Sequence, residues 1–346
     1  MRGLKIFSLA FFSYLLLSLY ANYFDEDLRK IIYSKGFEPS MVLLGTIFAL
    51  FFFAVFVWGY LSGVRLPTWF LIALFLIISF YDPPVAPIIA LLLIVAYKIR
   101  LNPFRGYPEV ALALSLVVPL ALYLHFGVPL LNKGLRYTLV GPLVLLALLA
   151  AVGLSYSQLS LKWKTLLLGA YSVIFFVGTF RSLVLLVYLT YFFSVYFHSP
   201  SRKREIGILG VLLMAVILWM SGGIEALMIR VGFTFLVFHN LVRLSIPWGL
   251  FHCALLLSNN PRHMVSELFG ASMNYTYFFF GQAVADFGIL GAFEAFLLGN
   301  FLRESEKSPE ALSLVLAVMI YSLDSGIDAL TMIFILGALI FERLSN

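Results

Sequence analysis

Charged residues and cysteine are both scarce in this sequence. Asp, Glu, Lys and Arg make up 12% of the 346 residues and hydrophobic residues make up 62%, whereas soluble domains carry roughly 25% charged residues. No polar block is long enough for a separate soluble domain, so we expect residues 1–346 to form a single membrane domain. The single cysteine, Cys253, excludes an internal disulfide bond.

Metal-ligand patterns are also missing. Neither an HExxH segment nor a pair of closely spaced cysteines occurs. Asp286-Phe287-Gly288 spells the metal-binding triplet of protein kinases, but no glycine-rich loop, strand lysine or HRD segment accompanies it. We therefore expect chemistry without a metal, and no other cofactor is expected. The apolar composition indicates membrane lipid, rather than nucleic acid, as a partner.

Apolar runs recur along the whole chain. Crossing about 30 Å of hydrocarbon takes about 20 helical residues, so the runs predict an all-α, polytopic integral membrane protein. The first run has basic residues before it but no small-residue cleavage site, which favours a retained helix over a signal peptide. Asp82-Pro83-Pro84 separates two runs that are short for full spans, which indicates a helical hairpin or a kinked pair. About twelve transmembrane helices are predicted, near residues 5–21, 41–62, 67–81, 85–97, 109–126, 138–155, 165–180, 182–197, 206–221, 277–302, 309–323 and 326–342.

Lys and Arg are distributed unevenly between the predicted loops. With the N-terminus in the cytoplasm, most of the 23 Lys and Arg residues fall on the inner side, chiefly in KIRLNPFR and SPSRKRE. The positive-inside rule therefore predicts a multi-pass protein of the cell membrane with both termini in the cytoplasm. Residues 222–276 then lie outside, and they are too apolar for a solvated loop and too interrupted for clear spans. We expect a long extracytoplasmic loop whose amphipathic or re-entrant helices lie on or dip into the outer leaflet.

Four arginines on the expected outer side break this charge bias. A guanidinium forms paired hydrogen bonds with phosphate oxygens and stays charged at low dielectric, so arginines converging on an outer cavity would suit a lipid-linked diphosphate. Snorkelling to outer headgroups is the alternative for each of them. Arg181 has almost no loop around it, and charges in such places tend to face a protein cavity. The substrate-binding candidates are Arg181, Arg230, Arg243 and Arg262, together with His239 and Tyr277.

Several side chains of the same region could act as a general acid or base. An acceptor hydroxyl needs a base near its proton. The segment NNPRHMVSELFG places Arg262, His263 and Glu267 close together, and in a helix His263 and Glu267 share one face. The catalytic candidates are His263, Glu267 and Asp286, while His239, His252 and Glu225 lie in the same region. An interfacial structural role is the alternative for each histidine.

Small residues form a regular series in the predicted helix 277–302. In one continuous helix, the series would draw a single seam against which a neighbouring backbone packs closely. Asp286 and Glu294 point away from this seam, so we expect Asp286 to face a water-filled cavity at the base of the outer loop and Glu294 to lie deeper. A helix N-cap is the alternative for Asp286. The seam consists of Gly281, Ala285, Gly288, Ala292, Ala295 and Gly299.

A long outer loop followed by an acidic-x-Gly-x-x-Gly element, here residues 286–291, resembles the O-antigen polymerase (Wzy) and O-antigen ligase superfamily. Arg181 and Arg230 are similar to that family's outer-face arginines. The resemblance implies metal-independent glycosyl transfer on the outer face from a polyprenyl or dolichyl diphosphate-linked oligosaccharide. It also implies a flippase or a chain-length regulator as a partner.

The sequence departs from this pattern in two places. Tyr277-Phe278 stands where ligases carry a His-Asn pair, which favours a polymerase-like member. In some bacterial polymerases a glycine stands eleven residues after an arginine. None of the four outer arginines here has that glycine. The residues eleven positions after Arg181, Arg230, Arg243 and Arg262 are Phe192, Leu241, Ala254 and Met273. A ligase-type transferase and a secondary transporter are the alternatives, although no internal repeat supports a transporter.

Overall fold

The computed structural model describes residues 1–34, 42–81, 85–132, 134–198, 207–208, 210–212, 215, 218–219, 222–272 and 274–345. Within these residues every regular element is a helix, which confirms the predicted all-α class. The helices are α1 Arg2–Leu19, continued by a π turn Tyr20–Phe24, α2 Glu26–Tyr33, α3 Leu43–Ser62, α4 Thr68–Ser79, α5 Val85–Ile99, α6 Pro103–Gly106, α7 Pro108–Phe126, α8 Leu135–Tyr156, α9 Leu161–Val177, α10 Arg181–His198, α11 Ile224–Ser245, α12 Pro261–Leu268, α13 Gly281–Phe287, a 3-10 turn Gly288–Gly291, α14 Ala292–Ser305, α15 Pro309–Ser325 and α16 Ala329–Ser345.

Judged by length and composition alone, seven helical segments in the described residues could cross a membrane, the last of which includes the 3-10 turn Gly288–Gly291. The protein is therefore polytopic as predicted, whereas the predicted number of twelve spans is not reproduced. The predicted span 206–221 and the break at 82–84 fall largely on residues outside the described ranges. The helices α4 and α5, with 12 and 15 residues, are short as expected. The seven segments are Arg2–Phe24, Leu43–Ser62, Pro108–Phe126, Thr138–Tyr156, Arg181–His198, Ile224–Ser245 and Gly281–Ser305.

Two compact units divide the chain, and both are discontinuous in sequence. The first contains Met1–Ala86, Ser221–Glu306 and Ser322–Ile333, and the second contains Pro87–Met220, Lys307–Tyr321 and Phe334–Asn346.

Phenylalanines form the core of the first unit. The ring centroid of Phe7 lies 4.8 Å from that of Phe56, and Phe11 stacks on Phe53 at 4.3 Å. Because the later residue of α1 meets the earlier residue of α3, the two helices are antiparallel. The C-terminal end of α1 therefore lies level with the N-terminal end of α3. Phe278, fully buried, packs between α1 and α11.

Two glycines bring α3 and α14 into backbone contact. A Cβ added at Gly59 would overlap the carbonyl oxygen of Phe296, and one at Gly299 would overlap that of Phe56. Arg303 donates to the carbonyl oxygens of Tyr60 and Leu61 at 3.0 and 3.1 Å, which satisfies the C-terminal end of α3. Of the predicted small-residue series, Gly299 therefore packs closely against the backbone of a neighbouring helix.

The series does not run down one helix, however, and the predicted single helix 277–302 is wrong. The chain forms α13 and α14, separated by the 3-10 turn. A Cβ at Gly291 would overlap the carbonyl oxygen of Ala283, whereas residues eight apart in a straight helix are separated by about 12 Å along its axis. The chain therefore folds back on itself at this turn.

Polar side chains join several helices of the second unit. Tyr123 donates to the carbonyl oxygen of Ile174 at 2.9 Å, and the hydroxyls of Ser115 and Tyr171 are 2.8 Å apart, which joins α7 to α9. At the start of α15, Glu310 pairs with Arg105 at 3.4 Å and with His198 at 3.7 Å. These contacts bring the start of α15 together with α6 and with the end of α10.

Candidate active site

Helix α11 contacts the C-terminal half of α1 within the first unit. Gly232 accepts from the Asn22 side chain at 3.1 Å, while Arg230 binds Asp324, which also accepts from Tyr14. The long apolar helix that interrupts the predicted outer loop is therefore joined to α1 both directly and through Asp324.

Asp324 holds the first arginine of the site. Arg230 donates to Asp324 Oδ2 through both Nε and Nη2, each at 2.6 Å. Asp324 Oδ1 accepts from the Tyr14 hydroxyl at 3.0 Å and lies 3.5 Å from the Thr234 hydroxyl. The Arg230 side chain is 41% exposed. A carboxylate with several donors fixes the position of the guanidinium and leaves part of it in contact with the surroundings.

The second arginine, Arg262, reaches the same chain segment from α12. Its Nε donates to the carbonyl oxygen of Ser325 at 3.4 Å, and Nη2 lies 3.7 Å from Asp328 Oδ2. Asp328 caps α16, because its Oδ1 accepts from the Thr331 amide while its own amide donates to the Thr331 hydroxyl, both at 2.9 Å. Arg230 and Arg262 therefore converge on residues 324–328, where α15 ends and α16 begins.

His263 and Glu267 form a pair on the surface of α12. His263 Nε2 lies 3.1 Å from Glu267 Oε1, and the two side chains are 42% and 63% exposed. The prediction that the two share a helix face is confirmed. A carboxylate beside an imidazole orients the ring, and the second ring nitrogen can then take a proton as a general base.

Asp286 occupies a different environment from the predicted one. It is completely buried, at the sixth position of α13, so it neither faces a water-filled cavity nor caps a helix N-terminus. Its carboxylate accepts from the amides of Leu255 and Leu256 at 2.9 Å each and from Gln282 Nε2 at 2.8 Å. Burial of a carboxylate is stabilised by such donors.

Residues 246–257 wrap around the C-terminal end of α13. The amides of Leu250 and Phe251 donate to the carbonyl oxygen of Ala285 at 2.7 and 3.0 Å, and that of His252 donates to the carbonyl oxygen of Asp286 at 3.1 Å. A Cβ at Gly288, whose φ is +59°, would overlap the carbonyl oxygen of Pro247. This segment, which we call the anchored segment, is thus held to α13 by main-chain donors and by Asp286.

The other predicted residues are dispersed. His239 is buried, and its Nδ1 accepts from the Gly45 amide at 3.1 Å, so it satisfies the start of α3. Tyr277 is buried beside the site and donates to the carbonyl oxygen of Ile327 at 3.2 Å. Arg243 is exposed in the last turn of α11, about 20 Å along the helix from Arg230. Arg181 is exposed at the first residue of α10, in the second unit.

A groove opens beside the start of α11. Its volume is about 600 Å³, and it is lined by Leu17, Tyr20, Asp25, Asp27, Leu28, Ile224, Glu225 and Met228. Glu225 lies about 7.5 Å along α11 from Arg230. The groove combines an aromatic ring with carboxylates, which is the mixture of surfaces that sugars contact.

Sequence reasoning missed the acidic members of the site, Asp324 and Asp328, and their partner Tyr14. The signal was present in Asp324-Ser-Gly-Ile-Asp328, a short polar break between two apolar runs. Ionisable groups at such depths face protein or cavity rather than lipid. The pairing itself depends on α11 and α12, which lie more than fifty residues away in the sequence.

The fold and the site define a polytopic helical membrane protein whose arginines and carboxylates meet where membrane helices end. The chain belongs to the family described as Putative O-antigen polymerase, whose model matches residues 5–336. Membership indicates a membrane polymerase of O-antigen repeat units, acting on a lipid-linked oligosaccharide in polysaccharide biosynthesis. Neither the curated proteins nor the solved structures include a match to this chain.

Proposed function

We propose that this protein transfers an oligosaccharide from a polyprenyl or dolichyl diphosphate to an acceptor sugar hydroxyl, on the outer face of the membrane and without a metal. One observation carries the proposal: Arg230 and Arg262, from different helices, converge on residues 324–328. Two guanidinium groups that are held apart by fixed partners match the separated oxygens of a diphosphate.

The carboxylates at the site set the strength of this interaction. Asp324 and Asp328 offset the charge of the two arginines and fix their orientation. A preorganised guanidinium stabilises negative charge that develops on the leaving diphosphate, since it does not have to reorganise during the reaction. Because the arginines are partly neutralised, the product diphosphate is bound weakly enough to be released.

His263 is the base that we assign. It is next to Arg262 in α12 and is paired with the Glu267 carboxylate. In the reaction, the acceptor hydroxyl gives its proton to His263, its oxygen bonds to the anomeric carbon, and the bond from that carbon to the diphosphate oxygen breaks. The electron pair leaves with the diphosphate, whose charge is met by Arg230 and Arg262. The groove along Asp25, Asp27 and Glu225 offers acceptors for hydroxyl groups of the glycan.

The orientation proposed here follows from α1. If Arg2 and Lys5 lie on the cytoplasmic side, the C-terminal end of α1 is outside. Helix α11 contacts that end, through Asn22, and the start of α3, through Gly45. These contacts support a location of α11 and α12 along the outer surface, within an extracytoplasmic segment 222–276.

The test is polymerisation by the purified full chain in proteoliposomes supplied with a lipid diphosphate-linked oligosaccharide. Arg230→Lys keeps the charge but loses the planar fork, so turnover should fall roughly ten- to 100-fold, the loss of one charge-assisted hydrogen bond. Arg243→Lys is the matched control, because it makes the same exchange on an exposed arginine of the same helix. Equal turnover by both variants, at equal folded yield, would refute the proposed diphosphate site.

A further inference from the structure

A second cavity lies within the other unit, at the end of α8, the start of α9 and the end of α10. Its volume is about 160 Å³, room for several water molecules or a group the size of phosphate. It is lined by Ser157, Gln158, Leu159, Leu161, Lys164, Ser194, Val195 and His198. None of these residues belongs to the proposed transferase site.

Lys164 is the dominant charge in this cavity. Lys164 is only 7% exposed. Its Nζ donates to the carbonyl oxygen of Leu154 at 2.9 Å and to the Ser194 hydroxyl at 3.1 Å. Both acceptors are uncharged, although Leu154 lies in the last turn of α8, where the helix dipole favours a cation. Glu310, which pairs with His198 at the same cavity, acts on Lys164 through space and forms no ion pair with it among the described residues. An ammonium group has three donors, and the two contacts use two of them, so a further acceptor can bind.

Two further polar groups surround the same space. Ser157 is buried, and its hydroxyl has no hydrogen-bond partner among the residues that the structure describes. His198 Nδ1 donates to the carbonyl oxygen of Ser194 at 2.8 Å, and its Nε2 lies 3.7 Å from Glu310. An unpartnered buried hydroxyl in a lined cavity indicates a ligand with hydrogen-bonding oxygens.

We propose that this cavity binds a phosphate group, carried either by a membrane phospholipid or by a soluble phosphate. Lys164 supplies the charge, and Ser157 and Gln158 supply hydrogen bonds to the other oxygens. Basic pockets between membrane helices recognise headgroup phosphates in this way, and a phosphate oxygen would accept from the third donor of the Lys164 ammonium. The inference is independent of the transferase mechanism proposed above.

The experiment measures thermal unfolding of the full chain in detergent with inorganic phosphate, with phosphatidic acid, and with phosphatidylcholine as the reference lipid. A ligand that binds only the folded state raises the midpoint with concentration. Lys164→Met should weaken the apparent affinity by roughly tenfold or more, the loss of a charge-assisted hydrogen bond. Lys162→Met is the matched control, since it removes the same charge from an exposed position of the same helix.

The Ser157→Ala variant covers the case in which Lys164→Met does not fold. It removes a hydroxyl that bonds to no described residue, so folding should be retained while affinity falls roughly three- to tenfold. A Ser157- or Lys164-dependent shift with inorganic phosphate identifies a soluble ligand, and one with phosphatidic acid alone identifies a lipid headgroup. If neither probe gives such a shift, or if Lys162→Met weakens binding as much as Lys164→Met, the proposal is wrong.

Discussion

At the scale of single residues, the site depends on carboxylates that position arginines. Asp324 accepts from Arg230 and Tyr14, which come from two helices. Asp328 both caps α16 and lies beside Arg262. The acids therefore link the geometry of the site to the stability of the first unit.

We expect Asp324→Asn to affect both properties. The amide keeps the shape of the side chain but loses its charge, and the partly exposed pair with Arg230 contributes about 1 kcal/mol to stability. Turnover should fall together with the midpoint of thermal unfolding. Glu109→Gln is the control, because Glu109 is exposed and lines neither the site nor the groove beside α11. An Asp324→Asn variant with parental turnover would show that Arg230 needs no fixed partner.

For Asp286 we expect a substitution to affect the stability of the fold rather than the chemistry of the site. The Asp286 carboxylate accepts hydrogen bonds from Leu255, Leu256 and Gln282. In Asp286→Asn, one of its oxygens is replaced by an NH₂ group, which is itself a donor and cannot accept from these partners. A buried donor left without an acceptor costs about 1–3 kcal/mol. We expect a lower unfolding midpoint and faster hydrogen exchange at Leu255 and Leu256. Parental stability and exchange with lost turnover would contradict the structural role and restore Asp286 as a catalytic candidate.

The residue types of the site could be predicted from the sequence, but their surroundings could not. His263 and Glu267 share a face because helical periodicity is local, and Arg230 and Arg262 were recognised as charges in an apolar setting. The burial of Asp286 arises from main-chain donors about thirty residues earlier in the chain. No local pattern reports such a contact, since any residue with an amide can supply it.

At the scale of elements, the contact between α3 and α14 is the most demanding. Gly59 and Gly299 each meet a carbonyl oxygen of the partner helix. Gly299→Ala must push the helices apart, and such overpacking costs about 1–3 kcal/mol. Gly169→Ala is the control, because a Cβ there meets nothing within 4 Å in the middle of α9.

Both alanine variants can be compared by size-exclusion chromatography and by thermal unfolding in detergent. Gly299→Ala should give less monodisperse protein and a lower midpoint, while Gly169→Ala should be neutral or slightly stabilising, since alanine is the better helix former. Equal midpoints would mean that the two backbones are not in contact.

The presence of most helices could be predicted from the sequence, whereas the way in which they pack and turn could not. Hydropathy identified apolar helices, because burial in lipid requires a long apolar run. It could not show that α11 contacts both α1 and the start of α3, because these contacts join residues nearly two hundred or more positions apart in the sequence. It also joined α13 to α14, since the turn at Gly288–Gly291 consists of residues that are equally apolar.

At the scale of the whole molecule, the proposed orientation in the membrane rests on the basic clusters. We expect Asn260→Cys, in a Cys253→Ala background, to react with an impermeant thiol reagent on intact cells, because Asn260 is exposed in the segment proposed to lie outside. Burial raises the pKa of the Cys253 thiol, which slows its own reaction but does not abolish it. Lys162→Cys should be labelled only after lysis. The reverse pattern would invert the topology.

The class of the molecule was predictable because composition alone excludes a soluble protein. The two compact units were not, since each combines distant stretches of the chain. Residues 322–333 join the first unit although they follow a part of the second. Such interleaving depends on tertiary contacts that hydropathy does not encode.

The way in which residues 246–257 are attached has a consequence for divergence among related chains. The hydrogen bonds that fix the anchored segment to α13 come from its main-chain amides. Every amino acid except proline supplies that donor, so substitution of exposed side chains such as Trp248 and His252 leaves the attachment intact. Gly249 is an exception, because a Cβ there would overlap the carbonyl oxygen of Asp286. Selection could therefore alter the chemistry of the exposed positions without first having to rebuild the fold.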